Sequence, residues 1–172
     1  GRVIEKKSGM SYESYVRNKV LKPCGITRMY VAGDKKSNKR YNEVTYYGGN
    51  AYNMKVKRMD AHGGWLGSSL DLAKFLIRVD GKNNKPDIIS LSSYNTMIKP
   101  WKAGGGYAKG WSITGSNEWH TGSISGTGAI IVQAGNGLSW VFLMNRTWVG
   151  EADGMMWDVV NGVNTWPSHD WF

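Results

Sequence analysis

A short run in the second half of the chain, His120-Thr121-Gly122-Ser123, combines residue types that bind anions and move protons. The imidazole of His120 can gain or lose a proton near neutral pH, and the hydroxyls of Thr121 and Ser123 can donate hydrogen bonds to a carboxylate. Gly122 lacks a side chain, so a second backbone can approach the chain closely there. The run therefore predicts a substrate-binding strand with His120 as its candidate catalytic residue. The alternative is a partly exposed histidine beside ordinary strand hydroxyls.

Three more residues are candidates for the same site. Tyr107 and Trp111 precede the run, and Asn145 ends a later apolar segment. The two aromatic rings could line a pocket, although aromatic residues in strands more often pack in the core. Asn145 could lie at the rim of the site, or it could cap the turn that follows its strand. We include Tyr107 and Asn145 among the predicted substrate-binding residues.

Thiol, metal and cofactor chemistry find little support in the sequence. Cys24 is the only cysteine, so it cannot form an internal disulfide, and no His or Asn signature of a catalytic thiol lies beside it. The three histidines, His62, His120 and His169, are separated by distances that fit no metal-site pattern. We expect neither a metal nor a cofactor.

The net charge of +9 is unevenly distributed along the chain. Residues 1–60 hold 14 Lys and Arg against 5 Asp and Glu, whereas residues 61–172 hold 8 against 8. A basic first third could face nucleic acid, anionic lipid or an anionic cell-wall polymer. It could equally be a solubilising face or a face that meets an acidic segment. Because no nucleic-acid-binding motif accompanies the charge, we expect no nucleic-acid partner.

Periodicity and turn signals predict the elements that must position these residues. Apolar spacing and capping residues indicate helices over residues 10–21, from Ser68 or Ser69 onward, over 92–98, and over about 153–163. The last helix has a predicted apolar stripe made of Met156, Val159, Val160 and Val163. A short strand is predicted over residues 43–47 from their β-branched and aromatic residues.

Four strand-length runs fill the later part of the chain. They cover residues 107–114, 118–125, 127–134 and 138–145, and short Gly- and Asn-containing turns separate them. Connections this short require antiparallel neighbours. Residues 129–132 and 140–144 are apolar at every position, which is typical of strands that are covered on both faces. The sequence therefore predicts an α+β fold, an antiparallel sheet with flanking helices.

The order of several motifs resembles the serine β-lactamases, the DD-peptidases and related esterases, especially the class C-like branch. Each passage is degenerate, but together they span most of residues 1–163. In chain order they are residues 5–12, Leu21-Lys22-Pro23-Cys24-Gly25-Ile26, the Gly-rich helix start at residues 63–75, Tyr107 to Trp111, His120-Thr121-Gly122, and Leu143-Met144-Asn145. The resemblance implies a β-lactamase/transpeptidase-like fold, with the backbone N–H of Ser123 as one oxyanion-hole donor.

That family builds its site from three motifs, of which this chain has one. A Ser-x-x-Lys supplies nucleophile and base, a Tyr-x-Asn or Ser-x-Asn assists protonation, and a Lys/His-Thr-Gly strand holds the substrate. No serine here is followed three residues later by lysine, and there is no Tyr-x-Asn. Ser93-Tyr94-Asn95 fits Ser-x-Asn, but it lies on the wrong side of the helix at Ser69, so we interpret Ser93 as a helix cap.

The resemblance thus implies that residues 1–172 are the C-terminal part of a single serine hydrolase domain whose upstream catalytic segment is absent. The chain alone is expected to be inactive. Its expected partners are a β-lactam, a D-Ala-D-Ala-type peptide or an ester substrate, the upstream part of the same polypeptide, and a second copy through an exposed sheet edge. A cell-envelope location is implied by the resemblance only. The alternative is a non-catalytic module that binds cell-wall peptide or glycan.

Overall fold

The computed structural model of the chain describes residues 1–103, 105–147 and 150–170. It begins with two short helices, α1 (Arg2–Ser8) and α2 (Tyr12–Val16). Ser11 caps α2 by accepting a hydrogen bond from the backbone N–H of Ser14, at 3.2 Å. The predicted helix over residues 10–21 is present, but only its first part is α-helical, because its last turns, Arg17–Leu21 and Lys22–Cys24, change to π- and 3₁₀-type hydrogen bonding.

A two-stranded antiparallel sheet follows, made of β1 (Tyr30–Val31) and β2 (Trp65–Leu66). The predicted strand over residues 43–47 is wrong, since only Tyr47 makes a bridge, to Arg146. Two backbone donors that a strand would need are engaged locally. The N–H of Tyr46 donates to the hydroxyl of Tyr52 at 3.1 Å, and the N–H of Glu43 donates to the carbonyl of Arg40 at 3.1 Å.

Two further helices lie before the main sheet. Helix α3 (Ser69–Leu76) starts as predicted, with Ser68 and Asp71 forming a reciprocal capping box. Helix α4 (Leu91–Met97) is also present, but its cap is Ser90. The interpretation of Ser93 as the cap is therefore wrong, because its own backbone N–H donates to the Ser90 hydroxyl at 3.1 Å.

The main sheet has four antiparallel strands in the order β3-β4-β5-β6. Their bounds are β3 (Ser112–Thr114), β4 (Asn117–Ile124), β5 (Thr127–Gln133) and β6 (Ser139–Met144). All four predicted strands and their directions are confirmed, but β3 starts later than expected. The chain folds into a turn at Gly110, whose φ of 89° is unfavourable for other residues. Tyr107 consequently makes only a single bridge, to Ser112.

Both faces of the sheet are covered, as the apolar runs predict. Helix α5 (Glu151–Gly162) lies on one face, where Val160 packs with Ile130, Val132 and Trp140. On the other face Leu76, Val79, Ala108 and Trp111 pack against Ile131 and Val141. Trp111, 5% exposed, is therefore a core residue.

The predicted stripe of α5 is only half right. Met156 and Val160 pack inward together with buried Ala152, which lies four residues before Met156. Val159, one position before Val160, is turned about 100° away from it around the helix and is 56% exposed. Val163 is 37% exposed because the helix ends at Gly162 and the backbone of Val163 is extended. No helix among the described residues is both long enough and apolar enough to span a bilayer.

Candidate functional site

The outer edge of β4 is open over the His120–Ser123 run. Strand β3 is short, and its last pair with β4 joins Ser112 and Trp119. Among the described residues no strand pairs with that edge beyond Trp119, whereas the inner edge of β4 is paired with β5 along its whole length. Thr121, Gly122 and Ser123 are all exposed. The predicted substrate strand therefore has a free side along which an extended chain can add.

Hairpin geometry fixes which backbone groups point to that free edge. Strands β4 and β5 are joined by the two-residue turn Ser125-Gly126, so the flanking pair Ile124 and Thr127 exchange hydrogen bonds. Alternation along the ladder then directs the N–H and C=O groups of His120 and Gly122 toward β5. The corresponding groups of Thr121 and Ser123 face outward.

His120 is held by one of the other predicted site residues. The hydroxyl of Tyr107 lies 2.9 Å from Nε2 of His120, and the two rings meet edge to face at 64°. Tyr107 reaches this position because the chain reverses at Gly110 before β3 begins. The backbone N–H of Ala108 donates to the carbonyl of Trp111 across that reversal, at 2.7 Å. The structure thus brings Tyr107 and His120 together.

Gly122 lies in open space within this chain. A Cβ built on it meets only the Cβ of Ala129, at an ordinary contact distance of 3.9 Å. Gly126, by contrast, has a φ of 85°, and a Cβ there would lie 2.6 Å from the Cβ of Ala51. The fold itself therefore requires glycine at position 126 and not at position 122.

Asn145 lies apart from the other predicted site residues. It follows β6, which is two strands away from β4, so it is about 10 Å distant in the hydrogen-bonding direction. Its side-chain amide donates to the carbonyl of Thr45 at 2.8 Å. It lines a cavity of about 800 Å³ to which residues 120–123 do not contribute. The cavity is bounded on its other sides by the loop over residues 40–46, by Arg28 and Tyr30, and by Ser68 at the start of α3.

A partly buried polar cluster lies at the opposite end of β4. The hydroxyl of Tyr94 donates to Oε1 of Glu118 at 2.7 Å, and burial, followed by repulsion from Asp80, raises the pKa of Glu118 against the opposing effects of Tyr94 and Lys82. Glu118 faces Gln133 directly across β4 and β5. In the described part of the chain Oε2 of Glu118 and Oε1 of Gln133 are both buried without a hydrogen-bond partner.

Sequence reasoning missed the link between Tyr94 and Glu118. The two residues are 24 positions apart on a helix and a strand, and neither lies in a recognised motif.

The structure also bears on thiol chemistry at Cys24 and on metal binding. Burial raises the pKa of the Cys24 thiol, which is the opposite of what a catalytic thiolate needs. Within residues 1–103, 105–147 and 150–170, no three His, Cys, Asp or Glu side chains are arranged to hold a metal ion.

Comparison with known proteins adds a family match and two structural likenesses. The model of the Beta-lactamase family matches residues 1–163. No curated protein sequence matches the chain. The structure is similar to the octameric penicillin-binding protein homologue from Pyrococcus abyssi, with 25% identity and a TM-score of 0.69. It is also similar to a penicillin-binding protein from Bacillus halodurans, with 15% identity and a TM-score of 0.73, a likeness of fold alone.

The chain spans only part of each of these proteins. The alignment with the Pyrococcus abyssi protein covers 95% of this chain and 41% of that one. The alignment with the Bacillus halodurans protein covers 94% of this chain and 52% of that one.

Proposed function

Since the chain belongs to the beta-lactamase family, we propose that it carries the substrate-binding strand of a penicillin-recognising serine acyl-hydrolase of the β-lactamase, DD-peptidase or esterase type. One observation above all supports the proposal. The edge of β4 is open where the backbone groups of Thr121 and Ser123 face outward, directly beside the Tyr107–His120 pair. A strand edge beside a titratable group suits a substrate that binds in extended form and gains or loses a proton.

In this function the substrate adds along the open edge of β4. The outward N–H of Ser123 donates to the acyl carbonyl oxygen, and this hydrogen bond strengthens as negative charge develops on that oxygen during attack. The hydroxyls of Thr121 and Ser123 are available to a substrate carboxylate. His120, oriented by Tyr107, attracts that carboxylate when it is protonated and supports proton transfer near the leaving group when it is neutral.

The nucleophile belongs to a segment outside the present sequence. There the serine hydroxyl of a Ser-x-x-Lys motif loses its proton to the lysine and attacks the acyl carbon. The bond to the leaving amine or alkoxide breaks, the leaving group takes up a proton, and water or an amine later accepts the acyl group. Substrates of this chemistry are β-lactams, D-Ala-D-Ala-type peptides or small esters.

The open outer edge of β6 is the place available to that segment. In the described residues β6 has no strand neighbour on its outer side. Just beyond its end, the N–H of Tyr47 donates to the carbonyl of Asn145 at 3.0 Å, and the side-chain amide of Asn145 donates to the carbonyl of Thr45 at 2.8 Å. An unpaired edge gains hydrogen bonds by adding a further strand, either from the same polypeptide or from a second copy.

Two measurements on the 172-residue chain test the proposal. Intact mass after incubation with benzylpenicillin should show no adduct, because no serine in the sequence is followed three residues later by lysine. Titration of the ¹⁵N-labelled chain with benzylpenicillin or an N-acyl-D-Ala-D-Ala peptide should shift the amide signals of Thr121 and Ser123. His120→Ala should weaken that binding, and His62→Ala is the matched control that should not.

The outcomes separate the competing explanations. A stoichiometric acyl adduct would place the nucleophile inside this chain and refute its assignment to another segment. Absence of shifts along β4 with every ligand would refute the substrate strand. If the same strand binds peptide, yet the longer polypeptide that includes a Ser-x-x-Lys forms no acyl-enzyme, the protein is a non-catalytic module for cell-wall peptide.

A further inference from the structure

The first 60 residues carry the whole net charge, and their acidic groups are already engaged. Among the described residues, the only ion pairs in this segment are those of Arg2, with Glu5 and Asp60. The remaining carboxylates accept backbone N–H groups instead. Glu13 accepts from Val31 at 3.0 Å, Asp34 from Lys57 at 2.8 Å, and Glu43 from Arg40 at 2.9 Å. Most cations of this segment are therefore available to an external anion.

Several of these cations gather around a group of tyrosines. The guanidinium carbons of Arg17 and Arg40 lie 4.3 Å and 3.9 Å from the ring centroid of Tyr30. Arg28 lines the same cavity as Arg40 and Tyr30. Stacking on an aromatic ring restricts a guanidinium while leaving its N–H edge free to bind phosphate oxygens.

The same arrangement continues along the loop that follows. The ammonium of Lys36 lies 5.8 Å from the ring centroid of Tyr52, which itself packs against Tyr46 at 5.8 Å. Lys39 donates to the hydroxyl of Thr45 at 3.2 Å, which holds it beside the same loop. We name this surface the basic tyrosine face, and it consists of Arg17, Arg28, Tyr30, residues 35–47 and Tyr52.

The basic tyrosine face also exposes apolar groups at its tip. Tyr41 is fully exposed, and Val44 and Tyr47 are 54% and 62% exposed. They follow the four cations of the same loop, which are Lys35, Lys36, Lys39 and Arg40. Exposed tyrosine and aliphatic side chains next to Lys and Arg are typical of segments that lie at the boundary between lipid headgroups and acyl chains.

We propose that the basic tyrosine face docks onto a bilayer surface that contains anionic phospholipids. Its Arg and Lys side chains bind headgroup phosphates, while Tyr41, Val44 and Tyr47 enter the interfacial layer. Charge alone would suit nucleic acid or an anionic polysaccharide equally well. Val44 decides for the bilayer, because a hydrated polyanion offers no apolar layer to an aliphatic side chain, whereas a tyrosine ring can also stack on nucleic acid bases. The proposal does not need the acyl-hydrolase chemistry, but it requires that the segment carrying the nucleophile adds at the outer edge of β6 and leaves Tyr41 and Val44 exposed.

Co-sedimentation of the chain with phosphatidylcholine vesicles, with and without phosphatidylglycerol, tests the proposal. The chain should bind only the vesicles that contain phosphatidylglycerol, and added salt should release it. Lys35→Glu/Lys36→Glu should lower the affinity by at least about 30-fold, since each cation near the surface contributes about fivefold. Lys99→Glu/Lys102→Glu changes the net charge equally at exposed positions outside the basic tyrosine face, and it should have a much smaller effect.

A third variant tests the apolar contribution. Tyr41→Ser/Val44→Ser keeps every charge and should still weaken vesicle binding, because it removes the side chains that enter the interfacial layer. Equal losses of vesicle affinity in the two Lys→Glu double variants would show that charge attraction acts without a defined face, and this would overturn the proposal. The proposal would also be overturned if the chain bound a duplex oligonucleotide or inorganic polyphosphate but not the vesicles. In that case Lys35→Glu/Lys36→Glu would weaken the binding, and Tyr41→Ser/Val44→Ser would leave it unchanged. Circular dichroism checks that each variant is folded.

Discussion

The hydroxyl of Tyr107 and Nε2 of His120 lie 2.9 Å apart, although the two residues belong to different arms of a chain reversal. This contact restrains the imidazole of a half-buried histidine on the strand whose outer edge is open. A restrained imidazole presents its remaining ring nitrogen, Nδ1, in a defined direction. Tyr107 is therefore best described as the residue that positions His120.

Tyr107→Phe should release the His120 ring while leaving the fold intact. The ¹⁵N signals of the His120 ring should move, because Nε2 loses its hydrogen-bond partner, whereas those of His62 and His169 should not. The free energy of unfolding should fall by only about 0.5 kcal/mol, since the bond is exposed. Long-range ¹H–¹⁵N spectra of the imidazoles and denaturant titrations measure the two effects. An unchanged His120 ring spectrum would contradict this arrangement.

Gly122→Ala should separate the needs of the fold from those of the ligand. The added methyl group meets only the Cβ of Ala129 at 3.9 Å, so the stability should change by less than about 0.5 kcal/mol. Ligand binding at the edge of β4 should nevertheless weaken at least tenfold, because the methyl group occupies the space in which a second backbone approaches.

Gly126→Ala is the matched control for that experiment. The new Cβ would lie 2.6 Å from the Cβ of Ala51 at a φ of 85°, so this variant should lose stability, by about 1 kcal/mol or more. Thermal unfolding and peptide titration compare the two variants. Undiminished binding by Gly122→Ala would remove the argument that glycine is needed at this position for an approaching ligand.

Elements with local signals were predictable from the sequence. The start of α3 depends on Ser68 and Asp71, which are three residues apart and bond each other's backbone, so the pattern contains the whole interaction. The antiparallel order of β3 to β6 follows from turns too short for any other connection. The strand predicted over residues 43–47 failed because β propensity says nothing about side chains that compete for the backbone N–H groups.

The contacts of the candidate site residues were not predictable from the sequence. The open edge at Thr121 and Ser123 exists because β3 ends its pairing at Trp119, which depends on where Gly110 turns the chain. The bonds of Tyr107 and Glu118 likewise join elements that are distant in sequence. Periodicity places a residue on a face, but tertiary packing decides which partner it meets.

Glu118 should make stability depend on pH in a definite direction. Burial, followed by the charge of Asp80, raises the pKa of its carboxyl, so the folded state binds the proton more tightly than the unfolded state does. The stabilising contribution is fully present below the unfolded-state value of about 4.3 and is lost as the pH rises through the higher folded-state value. The titration of Glu118 should therefore lower the melting temperature of the wild type as the pH rises across this range.

Glu118→Gln should remove that contribution. The amide can still accept the hydrogen bond of Tyr94 and can donate one to the unpartnered Oε1 of Gln133, which faces it across the ladder. We expect the variant to be more stable than the wild type by about 1 kcal/mol at pH 8 and nearly equal to it at pH 4. Asp158→Asn, at an exposed position on α5, is the control. Parallel plots of melting temperature against pH for the wild type and Glu118→Gln would show that Glu118 does not titrate between pH 4 and pH 8.

The free edge of β6 should make the chain self-associate at high concentration. The N–H of Ala134 donates to the carbonyl of Leu138 at 2.8 Å, which fixes the alternation of hydrogen-bonded pairs between β5 and β6. The N–H groups of Val141 and Leu143 therefore point outward, away from β5. A second copy can add there as a strand. Val141→Pro removes one outward N–H and no bond to β5, so it should raise the dissociation constant of the dimer at least tenfold.

Val141→Ala also removes the packing of the Val141 side chain but keeps the backbone N–H, so this variant should still self-associate. Ser139→Lys places a charge on the exposed start of the same edge without touching the core, so it should weaken association even if Val141→Pro fails to fold. Sedimentation equilibrium over a range of concentrations measures each variant. A wild-type chain that stays strictly monomeric, or equal association in Val141→Ala and Ser139→Lys, would show that the edge of β6 is not where copies meet.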